Sequence, residues 1–247
     1  MGPMNLFKLQ MGAAALAFVS ATASAAPTVI EATGFTFTNP DSTVADVLVS
    51  DVAGATTIRL SDFVSSMTGK TSDAAGNAYS ADMSFAVRSG YQVTGYSFSG
   101  TFAGTLDTAV PPGGLAGAGT ASNRGAVSLF ASGANDWSEN HFSSVYRLNG
   151  NESFVFSAAN LTLKDVLTMS LNSSMTMFAS PAVWTTSDGV VHRQASWAGL
   201  SVLNPTLTVY TSAVPEPETY AMLALGLAVI GLTRRTRRRL QNGVAQA

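Results

Sequence analysis

The stretch Tyr91–Phe98 reads Tyr-Gln-Val-Thr-Gly-Tyr-Ser-Phe, with large side chains recurring at nearly alternate positions. Successive side chains of a β-strand point to opposite faces, so this spacing predicts a strand with Tyr91, Val93 and Phe98 near its faces. The alternation slips at Gly95, where we predict a β-bulge. The stretch therefore favours extended structure.

Segments of the same kind recur along most of the chain, separated by turn-forming residues. Met83, Phe85 and Val87, for example, alternate with small or polar residues. Strands at short, fairly regular intervals predict an all-β fold, a sandwich or jelly-roll-like single domain. The further predicted strands are Val29–Phe37, Asp46–Ser50, Thr56–Leu60, Gly100–Leu106, Ala126–Ala131, Leu161–Leu163, Met169–Met177, Val190–Ala195, Leu200–Leu203 and Thr206–Tyr210.

The connections between strands also have readable patterns. Val145–Leu148 and Ser153–Phe156 flank Asn149-Gly150, a turn pair that predicts a β-hairpin. The Gly- and Pro-rich stretch Ala109–Gly125 predicts a mobile surface loop. Only Leu60–Thr68 and Leu163–Leu171 have a helical pattern.

Composition excludes several classes of protein and site. The 247 residues include 28 charged side chains, 11% of the chain, while 46% of residues are hydrophobic, which argues against intrinsic disorder. Cysteine is absent, so disulfides, zinc fingers, Fe–S centres and thiol nucleophiles are excluded. A formal net charge of −2 argues against nucleic-acid binding.

The charges are distributed unevenly along the chain. Residues 26–218 contain 7 basic and 15 acidic side chains, a formal charge of −8. The tail after residue 219 contains five arginines and no acid, a formal charge of +5. Because of this charge asymmetry, the two ends of the chain are considered separately from the body.

Residues 1–25 predict a secretory signal peptide. Lys8 supplies positive charge, residues 11–19 are apolar, and Ala23-Ser24-Ala25 is a small-x-small cleavage site for signal peptidase. Cleavage after Ala25 leaves the mature chain to begin at residue 26. We therefore expect an exported protein.

The C-terminal region has three consecutive parts: Pro215-Glu216-Pro217, the uncharged residues 219–233, and the arginine cluster of residues 234–239. The two prolines favour extended backbone. Fifteen helical residues cover only about 22 Å, less than the ~30 Å hydrocarbon core, so we predict a short, marginal transmembrane helix. Its arginines belong on the cytoplasmic side.

This order of parts behind a signal peptide resembles the PEP-CTERM sorting signal of Gram-negative bacteria. The resemblance covers residues 213–239 and implies recognition by exosortase, a membrane protease that removes the helix and basic tail. It implies that Pro215, Glu216 and Pro217 are the recognition element and that Arg234 and Arg235 form the stop. It also implies a transient membrane anchor and delivery to the cell surface or to the exopolysaccharide matrix of a biofilm. Residues 26–212 would be the β-rich extracytoplasmic domain, and residues 240–247 a short tail.

One cluster in the body combines groups that could carry chemistry. Residues 136–141 read Asp-Trp-Ser-Glu-Asn-His. A polar loop with a half-buried Trp137 is the favoured interpretation of this cluster. A glycan contact through Trp137, Glu139 and His141 is the second, because an aromatic face stacks on a sugar while polar groups hold its hydroxyls. Catalysis by Asp136, Glu139 or His141 is the third.

The remaining candidates are weaker. Trp184 and Trp197 flank the second histidine, His192, and are interpreted as core or edge aromatics. Single carboxylates are dispersed without an Asp-x-Asp-x-Asp loop, so we expect no metal site and no cofactor, and we interpret these residues mainly as solubilising. They are Asp41, Asp46, Asp51, Asp62, Asp73 and Asp82.

We therefore expect a non-catalytic structural or polysaccharide-interacting protein, with exosortase and signal peptidase as processing enzymes and exopolysaccharide as a possible partner. Two alternatives stay open. One is a secreted glycan-active enzyme that uses the cluster at Asp136, Glu139 and His141. The other is a permanently anchored single-pass envelope protein.

Overall fold

A computed structural model describes residues 27–134, 136–214 and 222–230. The predicted signal peptidase site, Ala23 and Ala25, lies outside the described residues. So do Pro215, Glu216, Pro217, Arg234 and Arg235.

The described residues form fourteen β-strands, two α-helices and a short 3-10 helix at Pro112–Gly114. The α-helices are α1 (Ser61–Ser66) and α2 (residues 222–230). The strands are β1 (Thr28–Glu31), β2 (Phe35–Asn39), β3 (Val47–Val52), β4 (Ala55–Arg59), β5 (Thr68–Thr71), β6 (Ala74–Val87), β7 (Tyr91–Asp107), β8 (Thr120–Gly133), β9 (Ser138–Tyr146), β10 (Gly150–Leu163), β11 (Val166–Ser180), β12 (Ala182–Thr185), β13 (Val191–Gln194) and β14 (Trp197–Ala213).

The strands form two antiparallel sheets. Sheet I has the order β1-β2-β6-β11-β8-β9. Sheet II has the order β10-β7-β14-β4-β3, with β5 pairing β14 as well. Strands β12 and β13 pair only with each other within the described residues. The predicted all-β sandwich is confirmed.

A single hydrophobic core lies between the sheets. Along β11 buried and exposed residues alternate almost without interruption, and the buried ones include Leu167, Met169 and Leu171. Phe63 of α1 joins the inner faces, with its ring centroid 5.0 Å from that of Tyr79 on sheet I and 6.1 Å from that of Phe98 on sheet II. Each large apolar side chain buried in this way contributes about 1.5–3 kcal/mol, so the alternating pattern accounts for most of the driving force.

The predicted bulge at Gly95 is confirmed by the pairing register. In β14, Tyr210 pairs with Gly95 and Thr211 pairs with Val93, which leaves Thr94 as an extra residue on β7. A Cβ atom at Gly95 would lie 2.6 Å from the carbonyl oxygen of Ala158 on the neighbouring strand. Only glycine fits this approach without displacing backbone.

The predicted hairpin around Asn149-Gly150 is wrong. Strand β9 is an edge of sheet I and β10 is an edge of sheet II, so the connection passes from one sheet to the other. The buried Asn123 side chain holds this crossover: its Nδ2 donates to the carbonyl of Leu148 at 2.8 Å, and its Oδ1 accepts from the Leu148 N–H at 2.7 Å. Leu148 also lies so close to Gly104 on β7 that a Cβ atom there would meet its carbonyl oxygen at 2.3 Å.

Several predicted strands have different boundaries in the structure; Leu200–Leu203 and Thr206–Tyr210, for example, are parts of the single strand β14. Val29–Phe37 is not one strand but β1 and β2, joined by a turn in which the Ala32 N–H donates to the Phe35 carbonyl at 2.9 Å. The predicted loop Ala109–Gly125 is shorter than expected, because β8 begins at Thr120. Residues 120–125 pair with β11, and this pairing extends β8 into the Gly-containing segment.

The helical patterns have mixed outcomes. Leu60–Thr68 contains α1, as predicted. The pattern at Leu163–Leu171 is wrong, because these residues end β10 and begin β11. In β11 they pair with β6 and β8 on both sides, and this pairing overrides a short local pattern.

Residues 222–230 of the predicted C-terminal helix are helical and exposed. Among the described residues, no helix combines the length and apolar character needed to cross a bilayer.

Candidate functional site

The predicted cluster at residues 136–141 is not a simple loop. Asp136 is exposed in the turn before β9 with a φ of 57°, whereas Glu139 and His141 lie on β9 itself. Since alternate side chains of a strand share a face, Glu139 and His141 both point inward, toward the gap between the sheets. The polar-loop interpretation therefore holds only for the first part of the cluster.

Tyr96 meets both of these side chains. It lies on β7 of sheet II and is fully buried. Its hydroxyl is 2.9 Å from Nε2 of His141, and the same nitrogen is 3.3 Å from Oε2 of Glu139. In the Nε2–H tautomer this nitrogen donates a hydrogen bond, whereas in the Nδ1–H tautomer it accepts one from the Tyr96 hydroxyl. Residues separated by 45 positions thus form a polar group of three at the open edge between β9 and β10.

Aromatic rings surround this group. The His141 ring stacks on Phe156 of β10, with centroids 5.4 Å apart and planes 10° from parallel. Trp137 packs edge-on against Tyr96 at 6.4 Å and lies against the core, half-buried as predicted. We call Tyr96, Trp137, Glu139, His141 and Phe156 the edge cluster. Its arrangement closes one open edge of the sandwich.

The electrostatics of the edge cluster favour a neutral phenol. Burial raises the pKa of Tyr96, and the negative charge of Glu139 raises it further. Oε2 of Glu139 is buried and has no hydrogen bond of good geometry, so its contact with His141 becomes an ion pair only when the imidazole is protonated. Asp136 makes no hydrogen bond or ion pair with either residue in the described structure.

The second histidine lies in the β12–β13 hairpin. Its ring stacks on Trp184, with centroids 5.3 Å apart and planes 14° from parallel, and its Nε2 is 3.3 Å from Oγ1 of Thr186. Trp197 is 39% exposed and has Nζ of Lys70 5.3 Å from its ring centroid. Trp184 lies in this two-stranded hairpin, Trp197 begins the interior strand β14, and neither is among the buried residues of the core.

Two of the dispersed carboxylates are buried, which corrects their interpretation as solubilising residues. Asp46 accepts hydrogen bonds from Nδ2 of Asn39 at 2.7 Å and from the Ser61 N–H at 3.0 Å. Asp62 accepts from the Thr43 hydroxyl and N–H. Burial raises the pKa of Asp46, while the Asn39 hydrogen bond opposes the rise. Among the described residues, no three His, Asp or Glu side chains lie together as a metal site.

Each sheet has a shallow depression on its outer face. The one on sheet I has a volume of about 490 Å³ and includes Phe142, which is 66% exposed. The one on sheet II, at the level of the Gly95 bulge, has a volume of about 860 Å³ and is widely open to solvent. We call the latter the bulge depression; its polar lining side chains are Thr94, Ser97, Ser157, Asn160, Thr162 and Tyr210.

Sequence reasoning missed the bulge depression and the role of Tyr96. The break in alternation at Gly95 was the one signal of the depression, and it identified the bulge without its neighbours on β10 and β14. Tyr96 was counted only as a strand residue, because nothing local indicates that it meets β9.

The folded body continues to the start of the C-terminal region. Strand β14 ends at Ala213, which pairs with Tyr91, and the N–H of Val214 donates to the Gly90 carbonyl at 2.8 Å. The described β-structure therefore ends two residues before Pro215, at Ala213.

Comparison with known proteins identifies this C-terminal region. Residues 213–239 match the family model of the PEP-CTERM protein-sorting motif. None of the curated proteins matches the chain. A solved structure of TmCBM61 in complex with β-1,4-galactotriose is similar with a TM-score of 0.24 and 8% identity, over 68% of this chain and 88% of that one. A similarity of this size does not indicate a shared site.

Proposed function

Because the chain carries a PEP-CTERM sorting motif, we propose that it is an exported, exosortase-processed protein of the cell surface or extracellular matrix. Its body would act there as a non-catalytic structural module that contacts exopolysaccharide. The observation that carries the proposal is the continuity of fold and motif: the motif begins at residue 213, the last residue of β14. Removal of everything after the motif's recognition element would leave the sandwich intact.

The mature C-terminus tests the sorting part of this proposal. Mass spectrometry of the protein from the surface fraction of exosortase-competent cells should find a chain that lacks the arginine cluster. The same cells without exosortase should retain the intact chain in the membrane fraction. An intact arginine tail on surface-located protein from competent cells overturns the proposal.

Substitutions in the recognition element sharpen the test. Pro215→Ala combined with Pro217→Ala should reduce processing, because the backbone loses its two fixed φ angles. Pro112→Ala is the matched control, because Pro112 is exposed at the start of a short 3-10 helix of the body. The Pro112→Ala variant should be processed normally. Equal processing of both variants would contradict recognition through Pro215 and Pro217.

The membrane anchor would be transient. Lengthening the apolar segment of residues 219–233 by five leucines should hinder processing of a sorted protein. A permanently anchored protein would keep its location unchanged after the same insertion. The two outcomes separate the proposal from the single-pass alternative.

Absence of catalysis is supported by the inward orientation of the edge cluster. Oε2 of Glu139 contacts His141, lies near Tyr96 and is buried, so this oxygen is not presented to an external substrate. Turnover of cell-derived polysaccharide by the protein, lost on Glu139→Gln, would overturn this conclusion in favour of a glycan-active enzyme. We expect no turnover with either form.

A further inference from the structure

We propose that the bulge depression of sheet II binds an uncharged saccharide segment. This inference rests on the proposed function, since it names the place where the body would contact polysaccharide. It concerns the outer face of sheet II, whereas Glu139 and His141 point into the gap between the sheets.

Strand β7 loses regular pairing with both of its neighbours, β14 and β10, at the same level. On the β14 side, Thr94 is the extra residue of the bulge, so the register shifts between Tyr210 and Thr211. On β10 the register shifts between Ala159 and Leu163, so residues 160–162 have no partner on β7. Asn160 has a φ of 59°, a left-handed conformation that asparagine tolerates better than most residues. Bulges of this kind re-aim side chains and often accompany binding sites.

The polar side chains of the depression are free for a ligand. None of its six polar lining side chains hydrogen-bonds to another described residue. Hydroxyls on the same face outside it pair across strands, as Ser99 does with Thr206 at 3.1 Å and Thr57 with Thr208 at 3.0 Å. Within sheet II, the polar side chains of the bulge depression are therefore available to a ligand, whereas the hydroxyls outside it already bond to one another.

The depression on sheet I differs in this respect. Its Ser80 hydroxyl donates to Oδ1 of Asn172 at 2.9 Å, and Ser128 donates to the Asn172 carbonyl at 3.4 Å. Several of its hydrogen-bonding groups are thus already used. The observations favour sheet II.

The lining determines the charge of the ligand. It contains hydroxyls, one amide and apolar residues, but no Asp, Glu, Lys, Arg or His. Residues 26–218 have a formal charge of −8, which repels polyanions at a distance. A polyanionic chain would therefore meet no cationic partner in the depression and an unfavourable field around it.

Tyr210 supplies an apolar surface beside these polar groups. It is 43% exposed and lies on β14, next to the β7 bulge. An aromatic ring with a solvent-exposed hydroxyl is complementary to a sugar ring, which has an apolar C–H face and a rim of hydroxyls. An open depression suits a chain that runs across it better than an enclosed small molecule.

Calorimetric titration of the full chain, kept in a detergent without sugar headgroups, tests the proposal. The probes are neutral hexasaccharides of glucose, galactose and mannose, with oligogalacturonate as the anionic comparison. We expect at least one neutral probe to bind and the anionic probe to bind at least tenfold more weakly. Tyr210→Ala should weaken the neutral binding on the order of tenfold, and Tyr210→Phe should retain it, because the ring provides the contact surface.

Two further variants keep the result interpretable. Asn160→Gly preserves the left-handed backbone and removes the amide, so it should weaken binding without loss of folding. Tyr146→Ala removes an aromatic residue that is 73% exposed on sheet I and should bind as the wild type does. Thermal unfolding of each variant verifies that the sandwich is intact.

The outcomes separate this site from the proposed function. Neutral binding that survives Tyr210→Ala and Asn160→Gly, or that is lost with Tyr146→Ala, overturns the site while polysaccharide contact stands. Absence of binding to every neutral probe and to isolated matrix polysaccharide overturns both the site and the polysaccharide part of the proposed function. Exosortase processing is measured independently of either.

Discussion

The hydroxyl of Tyr96 lies 2.9 Å from Nε2 of His141, and this contact joins a central strand of one sheet to the edge strand of the other. Tyr96 is fully buried, and His141 stacks on Phe156 of the facing edge strand. This polar contact is surrounded by aromatic rings and closes the gap between β9 and β10. Among the described residues, no backbone pairing joins these two strands.

Tyr96→Phe should therefore destabilise the protein. The ring still fills its place, but His141 and the buried oxygen of Glu139 lose a polar neighbour, which costs about 1 kcal/mol. Tyr210→Phe is the control, because that hydroxyl is on an exposed face and bonds to no described residue. Urea unfolding measures both, and equal stability of the two variants would show that the Tyr96 contact contributes nothing.

Asn123→Ala should weaken the crossover between the sheets. The side chain of Asn123 makes three hydrogen bonds, two with Leu148 and one with the Gly199 carbonyl at 2.8 Å. Their loss leaves buried backbone groups unpaired, for which we expect a cost of about 3 kcal/mol. Thermal unfolding should detect it, with exposed Asn151→Ala as the comparison. A cost below that of Asn151→Ala would contradict the assigned role.

Gly95→Ala should destabilise the bulge. The new methyl group would approach the Ala158 carbonyl oxygen to 2.6 Å, and this neighbour is backbone that moves only with its strand. A strained insertion of this kind costs about 1–3 kcal/mol. The control is Ser97→Ala, a change of similar size on the outer face of the same strand. Chemical denaturation compares the two variants. Equal stability would contradict the prediction and would mean that β10 moves to accommodate the methyl group.

Asp46 should make the protein less stable as the pH rises. Burial raises the pKa of Asp46 above its unfolded value, so the folded state holds the proton more tightly. The resulting stabilisation is complete below the unfolded pKa and is lost as the pH rises through the folded one. Asp46→Asn removes this dependence, so the variant should gain stability relative to wild type between about pH 3 and pH 7. A difference that stays constant over this range would disagree with a raised pKa.

Asp51 provides a comparison of opposite sign. Hydrogen bonds from Thr56 and Thr33 lower the pKa of Asp51. Its stabilisation is present above the unfolded pKa and lost as the pH falls through the folded one. Asp51→Asn should therefore lose most, relative to wild type, near neutral pH and least in acid. Parallel urea titrations of the two variants should diverge in opposite directions.

The comparison of expectation with structure separates two kinds of information. Alternation at Met83, Phe85 and Val87 predicted a strand correctly, because the direction of successive side chains is a property of the local backbone. The pattern around Asn149-Gly150 is equally local, yet it is compatible with both a hairpin and a crossover. Asn123 and Gly104 decide between them, from 25 and 44 positions before Leu148.

The candidate site divides in the same way. Trp137, Glu139 and His141 were identified as a cluster because they are neighbours in the sequence, whereas their inward orientation depends on β9 pairing with β8. The role of Tyr96 and the bulge depression could not be predicted from the sequence, because each depends on strands that are distant in sequence but adjacent in space.

The sequence by itself determined that the body is an all-β sandwich and that a sorting motif follows it, because periodicity and motif order are written in consecutive residues. Only the tertiary structure decided which strands share a sheet, which carboxylates are buried and which hydroxyls are left unpaired. Those properties depend on contacts between residues far apart in the chain, and their energies exist only once both sheets have packed together.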